Sequence, residues 1–122
     1  MASGKPIGEY SLKSTSVTFS PGPAGSTLAA VNFEGTATGF GAVLGTATFV
    51  GDKNGTYSYC AQAFLENGEV ISGNGPGTFE SIGTHKWRTL GNMQLSDGRT
   101  IGGEGELDLA KRSWTGKIFD RS

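Results

Sequence analysis

Few side chains in this sequence are suited to catalysis. His85 is the only histidine and Cys60 is the only cysteine. A histidine that acts as a general acid or base needs a partner within hydrogen-bond reach, and Tyr57 and Tyr59 could share its surroundings on the strand pattern derived below. His85, Tyr57 and Tyr59 are therefore the candidate catalytic residues. A histidine that only binds backbone or water at the end of a strand is the alternative.

Metal and hydrolytic chemistry lack the residues they need. One histidine and one cysteine cannot build a zinc site in a single chain, so we predict no metal and no cofactor. Glu104, Glu106 and Asp108 stand at alternate positions, and a carboxylate pair or a calcium site is one interpretation of this row. Basic residues are predicted opposite the row, which favours a solvated ladder of charges.

The totals describe a small, nearly neutral protein. The chain has 122 residues with 10 basic and 11 acidic side chains, so we expect one domain over 1–122, with residues 1–6 disordered. Neither nucleic acid nor an anionic membrane is an expected partner, because no basic face is evident. A lone thiol and an N-terminus without an apolar segment predict a cytoplasmic location, with a removed signal peptide as the alternative.

Alternation of apolar and polar residues runs along the whole chain and predicts an all-β protein. Glycine or proline interrupts nearly every window that could form a helix. Breaker residues cluster at 20–26, where we expect a loop, and at 73–77, where we expect a second break in the form of a sharp corner or bulge. The eight predicted strands are 7–19, 28–39, 42–51, 56–66, 69–73, 78–89, 92–96 with 99–109, and 113–119.

Turn sequences predict the pairing of these strands. Asn54-Gly55 and Asp97-Gly98 are typical of three-residue hairpin loops with a left-handed glycine. With 53–55 as the first loop, the odd residues share an apolar face and Cys60 lies outside, opposite Thr48. The apolar pairs predicted for this hairpin are Phe49 with Tyr59, Ala47 with Ala61, and Val43 with Leu65.

The same rule applied to 96–98 separates apolar from charged residues in the C-terminal half. The pairs predicted here are Met93 with Ile101, Trp87 with Leu107, His85 with Leu109, Arg88 with Glu106, and Lys86 with Asp108. A final hairpin with its tip at 111–112 would pair Leu109 with Trp114 and Glu106 with Lys117. At Asn67-Gly68 the sequence allows two alternatives: a two-residue loop, or a three-residue loop that pairs Ala63 with Ile71.

A single up-and-down antiparallel barrel of eight strands is the expected fold, because closure removes the exposed edges of such a sheet. A β-sandwich is the alternative, but the inward face carries many small residues and a sandwich needs large ones on both sheets. Small inward residues permit strong coiling and can leave room inside. They are Gly35, Ala37, Gly39, Gly45, Ala47, Ala61, Ala63, Gly103 and Gly105.

The rhythm of glycine-spaced strands, such as Gly103-Glu104-Gly105-Glu106-Leu107 and Trp114-Thr115-Gly116-Lys117, resembles that of the allene oxide cyclase-like barrels. These belong to a broader calycin-like group. The resemblance implies a barrel that often forms oligomers and whose interior takes a hydrophobic small molecule. In the cyclase members the cavity mainly shapes the substrate.

We therefore predict a barrel that encloses a small hydrophobic molecule. Whether it is an enzyme stays open; if it is, a cofactor-free cyclase or isomerase is expected. The alternative is a non-catalytic homo-oligomeric module that associates through the outer residues Leu44, Val50, Phe64, Leu90 and Phe119. The residues predicted to line the ligand site are Phe33, Phe49, Tyr57, Tyr59, Trp87, Met93 and Trp114.

Overall fold

Eight antiparallel strands form one closed barrel in the computed structural model, which describes residues 4–122. Every strand pairs with its neighbours in the chain, and the first pairs with the last. The predicted all-β barrel is confirmed, and the sandwich is not the fold. The strands are β1 (Lys5–Pro21), β2 (Thr27–Ala37), β3 (Gly41–Gly51), β4 (Asn54–Phe64), β5 (Val70–Gly83), β6 (Lys86–Leu95), β7 (Thr100–Asp108) and β8 (Ser113–Asp120).

β1 begins close to the N-terminus, and one helical turn follows it. Of residues 1–6, which were expected to be disordered, 1–3 lie outside the described residues, and β1 begins at Lys5. A 3₁₀ turn at Pro23–Gly25 joins β1 to β2. No helix within residues 4–122 is long and apolar enough to cross a membrane.

The predicted division into an inner and an outer face is confirmed. Along β4, the odd residues Tyr57 and Tyr59 are buried, whereas the even residues Ser58 and Cys60 are exposed. Strand side chains alternate between faces, so the odd residues of β3 to β7 turn inward, except Gly83, which follows a shift of register in β5. In β8 the inward positions are even, as the last predicted hairpin also required, and Trp114 is 3% exposed.

The β3–β4 pairing differs from the prediction by two residues. Phe49 pairs with Tyr57 and Ala47 with Tyr59, because the chain turns at 52–54 rather than at 53–55. Cys60 accordingly lies opposite Thr46. A slip of two residues leaves every side chain on its predicted face, because the strand repeat is itself two residues.

Of the two C-terminal hairpins, one matches the prediction and one is shifted. Met93 pairs with Ile101 and Trp87 with Leu107, as predicted. Across the last turn, however, Trp114 pairs with Leu107 instead of Leu109. The turn spans 109–112, and within it the Arg112 amide donates a 3.1 Å hydrogen bond to the Leu109 carbonyl. The turn is therefore four residues long instead of two, and the two strands stop short of the predicted tip.

The turn after β4 resolves the alternative left open by the sequence. Ala63 pairs with Ile71, which is the three-residue loop. Gly68 takes a φ of 93°, and Gly98 takes a φ of 95° at the equivalent position of the β6–β7 turn. Both turns therefore use glycine where the backbone is left-handed.

The predicted break at 73–77 is wrong, because this segment lies inside β5. Its glycines serve close packing rather than a turn: a Cβ on Gly77 would lie 2.2 Å from Cζ of Tyr57, and one on Gly75 would lie 1.8 Å from the Asn92 carbonyl oxygen. The predicted strand 78–89 is interrupted instead at 84–85. His85 takes a φ of 53° in that turn.

Candidate functional site

Trp114 is the centre of the aromatic core. Its ring lies 5.0 Å from Phe33, 5.1 Å from Tyr59, 5.5 Å from Tyr57 and 5.9 Å from Tyr10, measured between ring centroids. Three of these contacts are edge-on, the arrangement that aromatic quadrupoles favour. Three phenol groups from β1 and β4 therefore surround one indole inside the barrel.

Thr89 is the polar partner of this core. It is 1% exposed, and Nε1 of Trp114 donates a 3.0 Å hydrogen bond to its Oγ1. Burial raises the pKa of Tyr10 to about 12, and hydrogen bonds with Thr89 and Trp114 oppose part of that rise. The pKa of Tyr57 is also raised by burial, and its hydrogen bond with Thr89 opposes the rise. Burial thus keeps both phenols in the neutral form.

Tyr59 lies differently, because it is buried without a polar partner. The side chain is 8% exposed, and its hydroxyl makes no hydrogen bond with any of residues 4–122. Burial raises the pKa of this phenol too, and neighbouring Tyr10 adds to the rise. A buried hydroxyl without a hydrogen-bond partner is unusual in folded proteins.

The tyrosine rings lie over glycines, which corrects the expectation that small inward residues leave room. A Cβ would lie 2.6 Å from the Tyr59 hydroxyl at Gly45, 2.4 Å from the Tyr57 hydroxyl at Gly91, and 2.2 Å from the Tyr10 hydroxyl at Gly105. The absence of a side chain at these glycines therefore leaves the space that the three tyrosine side chains occupy. Gly39, predicted to point inward, lies in the exposed β2–β3 turn with a φ of 80°.

Some space nevertheless remains inside the barrel. A cavity of about 110 Å³ lies beside the three tyrosines and Trp114. Its wall is almost wholly apolar, and none of its side chains is charged. The other wall residues include Leu12, Phe40, Val43, Ile71, Met93, Leu95, Ile101, Gly103 and Ile118.

Phe40 closes the cavity at the end of the barrel that carries the β2–β3 turn. Its side chain is 6% exposed and packs with Ala63 and Ile118. The guanidinium carbon of Arg99, from the β6–β7 turn, lies 5.1 Å from the centre of its ring. Gly39 and Gly41, on either side of Phe40, both take a φ of 80°, so the turn places a large apolar side chain in the opening.

The predicted ligand-site residues divide into two groups. Tyr57, Tyr59, Met93 and Trp114 lie in the cavity wall. Phe33, Phe49 and Trp87 belong to the aromatic core but not to that wall. All seven point inward, and a role for any of them in binding stays a prediction.

The three predicted catalytic residues, His85, Tyr57 and Tyr59, do not lie together in the structure. His85 is exposed in the β5–β6 turn, where its carbonyl accepts a 3.1 Å hydrogen bond from the Leu109 amide. Tyr57 and Tyr59 lie inside the barrel. His85 was expected to point into the lumen, but its strand ends at Gly83 and the turn carries it outside.

The outer charges and Cys60 line no cavity with these residues. Cys60 is exposed. Arg88 makes its ion pair with Glu80, at 2.8 Å, although it also lies beside Glu106 in the sheet. Lys117 lies opposite Glu104 rather than Glu106, because the last hairpin is shifted. Residues 4–122 contain no cluster of three potential metal ligands.

Three important residues were missing from the predicted site: Tyr10, Phe40 and Thr89. Tyr10 lies in the first part of β1, where the inward positions are even up to the register shift after Ser14, so odd-face reasoning omitted it. Thr89 was available as the one polar residue at an inward position between Trp87 and Gly91. Nothing in Gly39-Phe40-Gly41 indicated that a turn residue folds back into the barrel.

Comparison with known proteins adds no assignment. No family model matches the chain, and neither the curated proteins nor the solved structures gave a match. A function for this chain is therefore inferred from the cavity and its wall.

Proposed function

We propose that this barrel binds one small apolar molecule in the cavity beside Trp114. The observation that carries the proposal is a space of about 110 Å³ inside the barrel with an almost entirely apolar wall. Dry apolar cavities of about 150 Å³ are known to take up benzene. The natural ligand is therefore expected to be close to benzene in size while Phe40 stays in place.

The expected affinity is modest. Only a handful of ligand atoms fit, and small ligands gain limited free energy from each atom. A dissociation constant on the order of 0.1–1 mM corresponds to about 4–5.5 kcal/mol of binding free energy. The barrel would reach higher affinity only for a molecule whose shape and polarity match the wall more closely.

Titration with benzene or toluene, followed by protein NMR, tests this proposal. Saturable shifts at Met93, Ile101 and Trp114 are expected. Gly103→Ala should weaken binding, because Gly103 lies in the wall and a Cβ there meets nothing closer than 3.7 Å, so the new methyl group takes up ligand space. Gly83→Ala is the matched control, since Gly83 is exposed and a Cβ there has no neighbour within 4 Å.

Two results would count against the proposal. The first is the absence of saturable shifts with either hydrocarbon. The second is equal weakening by Gly103→Ala and Gly83→Ala, because then the bound molecule would not occupy this cavity.

A cyclase or isomerase that works by shaping its substrate is the catalytic version of the same proposal. Apolar walls can hold a flexible molecule in a reactive conformation and keep water out. The three phenols would supply the polar contacts, and no cofactor would be needed. Phe40 would have to turn out of the opening for a substrate much larger than benzene.

Self-association is a second candidate function, favoured by one exposed strand edge. β1 pairs with β8 only as far as Lys13, while its residues 15–21 continue along β2 alone. Their other edge meets no strand within residues 4–122. Val17 and Phe19 in this segment are 45% and 69% exposed, so the edge presents apolar side chains instead of the charged ones that usually protect an edge strand.

A second copy of this chain is the occupant that this edge suits best. No residue from 14 to 33 is charged, so two copies would meet without repulsion. Two such edges related by a twofold axis would pair antiparallel and satisfy each other's backbone groups. The outer residues predicted for an interface suit it less: Leu44, Phe64 and Leu90 are exposed, but Val50 and Phe119 are partly buried and the set is spread over four strands.

Light scattering coupled to size-exclusion chromatography tests this second candidate. The wild-type chain should be a dimer, and Val17→Lys should make it a monomer. Leu90→Lys is the control, because Leu90 is 47% exposed on a different strand. A monomeric wild type, or dissociation by Leu90→Lys alone, would refute pairing through β1.

A further inference from the structure

One end of the barrel exposes apolar side chains to solvent. This open end carries the turns at 22–26, 52–53, 84–85 and 109–112, and it lies opposite the end that Phe40 closes. Half of the large apolar side chains that are exposed within residues 4–122 lie here, namely Val17, Phe19, Ile82 and Leu109. Exposed apolar residues that gather in one region of a surface indicate an interaction site, whereas scattered ones do not.

Phe19 belongs to the inner face of the β1–β2 hairpin. Residues directly opposite each other in neighbouring strands point to the same face, and Phe19 pairs with Ala29, which pairs with Phe49 of the aromatic core. Phe19 is nevertheless 69% exposed, because the pairing of β1 with β8 stops at Lys13 and leaves residues 15–21 beyond that part of the wall. The apolar inner face therefore continues out of the barrel on this hairpin and meets water.

Charge is separated along the barrel axis, although the total is nearly zero. The turns of the open end contain three lysine or arginine residues, Lys53, Lys111 and Arg112, and one acidic residue, Asp52. None of these three basic side chains makes an ion pair with any of residues 4–122. The three turns at the opposite end contain the reverse, three acidic residues and one basic residue. The open end is thus the basic end.

Charges on the adjoining strands do not alter this balance. Arg88 pairs with Glu80 at 2.8 Å, and Lys86 pairs with Asp108 at 3.9 Å. Both pairs are neutral as units, so the surplus of positive charge at the open end comes from its turns.

The combination of apolar and basic side chains distinguishes between possible partners. The same end of a second copy is a poor partner, because its turns carry the same positive charge. A surface of anionic lipid suits both features, since apolar side chains enter the boundary between headgroups and acyl chains while basic residues lie against the anionic headgroups. The strand edge proposed for self-association is a different surface, because it consists of the backbone groups of β1 rather than of inward side chains.

We propose that the open end docks reversibly on the surface of an anionic membrane, with Phe19 inserted among the headgroups and Lys53 and Lys111 against anionic lipid. This role goes beyond ligand binding and does not depend on the cavity. The total charge predicted no such partner, because a total does not show how charges are distributed over a surface. Only a few side chains reach the lipid, so the contact is peripheral.

Sedimentation with lipid vesicles tests the apolar part of the proposal. The wild-type protein should bind vesicles of phosphatidylcholine mixed with phosphatidylserine, and should bind pure phosphatidylcholine at least about tenfold more weakly. Phe19→Ser should lower the partition coefficient on the mixed vesicles by about tenfold, because an apolar side chain no longer leaves water. Phe64→Ser is the matched control, since Phe64 is 41% exposed on the outer face of β4, and it should change binding by less than about twofold.

Two pairs of charge substitutions test the basic part. Lys53→Gln with Lys111→Gln should weaken binding to the mixed vesicles by about 25-fold, because each basic residue near an anionic surface contributes about fivefold. Lys5→Gln with Lys117→Gln is the control, because it removes the same charge from exposed positions outside the turns of the open end. Its effect should be smaller than about threefold. Circular dichroism checks the fold of every variant.

A fluorescent variant gives an independent measurement of insertion. Phe19→Trp should keep vesicle binding, and its emission should be quenched by brominated lipid. Phe64→Trp should not be quenched beyond the wild-type level.

Several results would refute membrane docking through this end. Absence of binding to the mixed vesicles is one. Equal weakening by the two lysine pairs would show that net charge alone decides binding. If Phe19→Ser lowers the molar mass in light scattering while vesicle binding is unchanged, a second copy covers this end instead of lipid.

Discussion

Two neighbouring glycines on β7 offer a direct test of how tightly the tyrosines are packed against the barrel wall. Gly103 and Gly105 both point inward beside Tyr10, and neither has a positive φ. An added Cβ at Gly105 would lie 2.2 Å from the Tyr10 hydroxyl and 2.3 Å from the Thr115 carbonyl oxygen. At Gly103 the nearest atom would be 3.7 Å away.

The two alanine variants should therefore change stability in opposite directions. Gly105→Ala forces backbone as well as side chain to move, and overpacking of this kind costs about 1–3 kcal/mol. Gly103→Ala is expected to stabilise by about 0.4–1 kcal/mol, because alanine restricts the unfolded chain and here causes no strain. The difference between the variants is then about 1.4–4 kcal/mol.

Urea unfolding followed by tryptophan fluorescence measures this difference. With a slope of about 1.5 kcal/mol per molar urea, the two midpoints should be about 1–3 M apart. Tyr10→Phe in the Gly105→Ala background should restore part of the loss, because it removes one of the two crowded oxygens. Equal midpoints for the two glycine variants would refute the placement of Tyr10 over Gly105.

Three further predictions concern the polar core, the phenols and the closed end. Thr89→Val should lower the free energy of unfolding by about 1–3 kcal/mol, because the Trp114 indole donor loses its acceptor. Thr78→Val, at an exposed position, is the control and should change the free energy of unfolding by less than about 0.5 kcal/mol. Equal values for the two variants in denaturant titrations would exclude the Trp114–Thr89 bond. The stability contributed by protonated Tyr10 should be complete below about pH 10, which is its pKa in the unfolded chain, and should be lost as the pH rises to about 12. The free energy of unfolding should therefore fall less at alkaline pH in Tyr10→Phe than in the wild type, and an equal fall in both would contradict this prediction. Phe40→Ala should destabilise the folded protein by about 3–5 kcal/mol and should speed the exchange of bound toluene in magnetisation-transfer experiments. Phe40→Leu should show smaller effects on both. Unchanged exchange in both variants would show that Phe40 does not close the cavity.

The sequence was sufficient for the fold class and for the inner and outer faces, for a local reason. Each residue in a strand alternates its direction with the next, so the pattern of apolar residues assigns a face without reference to any other strand. This is why Tyr57, Tyr59 and Trp114 were expected inside, and why they remain inside even though two hairpins are shifted by two residues. Closure also followed from the sequence, because eight short antiparallel strands need their edges covered.

The pairing of strands and the contents of the barrel were decided only by the tertiary structure. Period-two patterns are unchanged by a shift of two residues, so they could not distinguish Tyr57 from Tyr59 as the partner of Phe49. Glycines look alike in sequence whether they make a turn, leave a space or lie beneath a ring, and Gly77 and Gly105 do the last. The cavity, the free Tyr59 hydroxyl and the closing position of Phe40 all arise from contacts between residues far apart in the chain, which no local pattern contains.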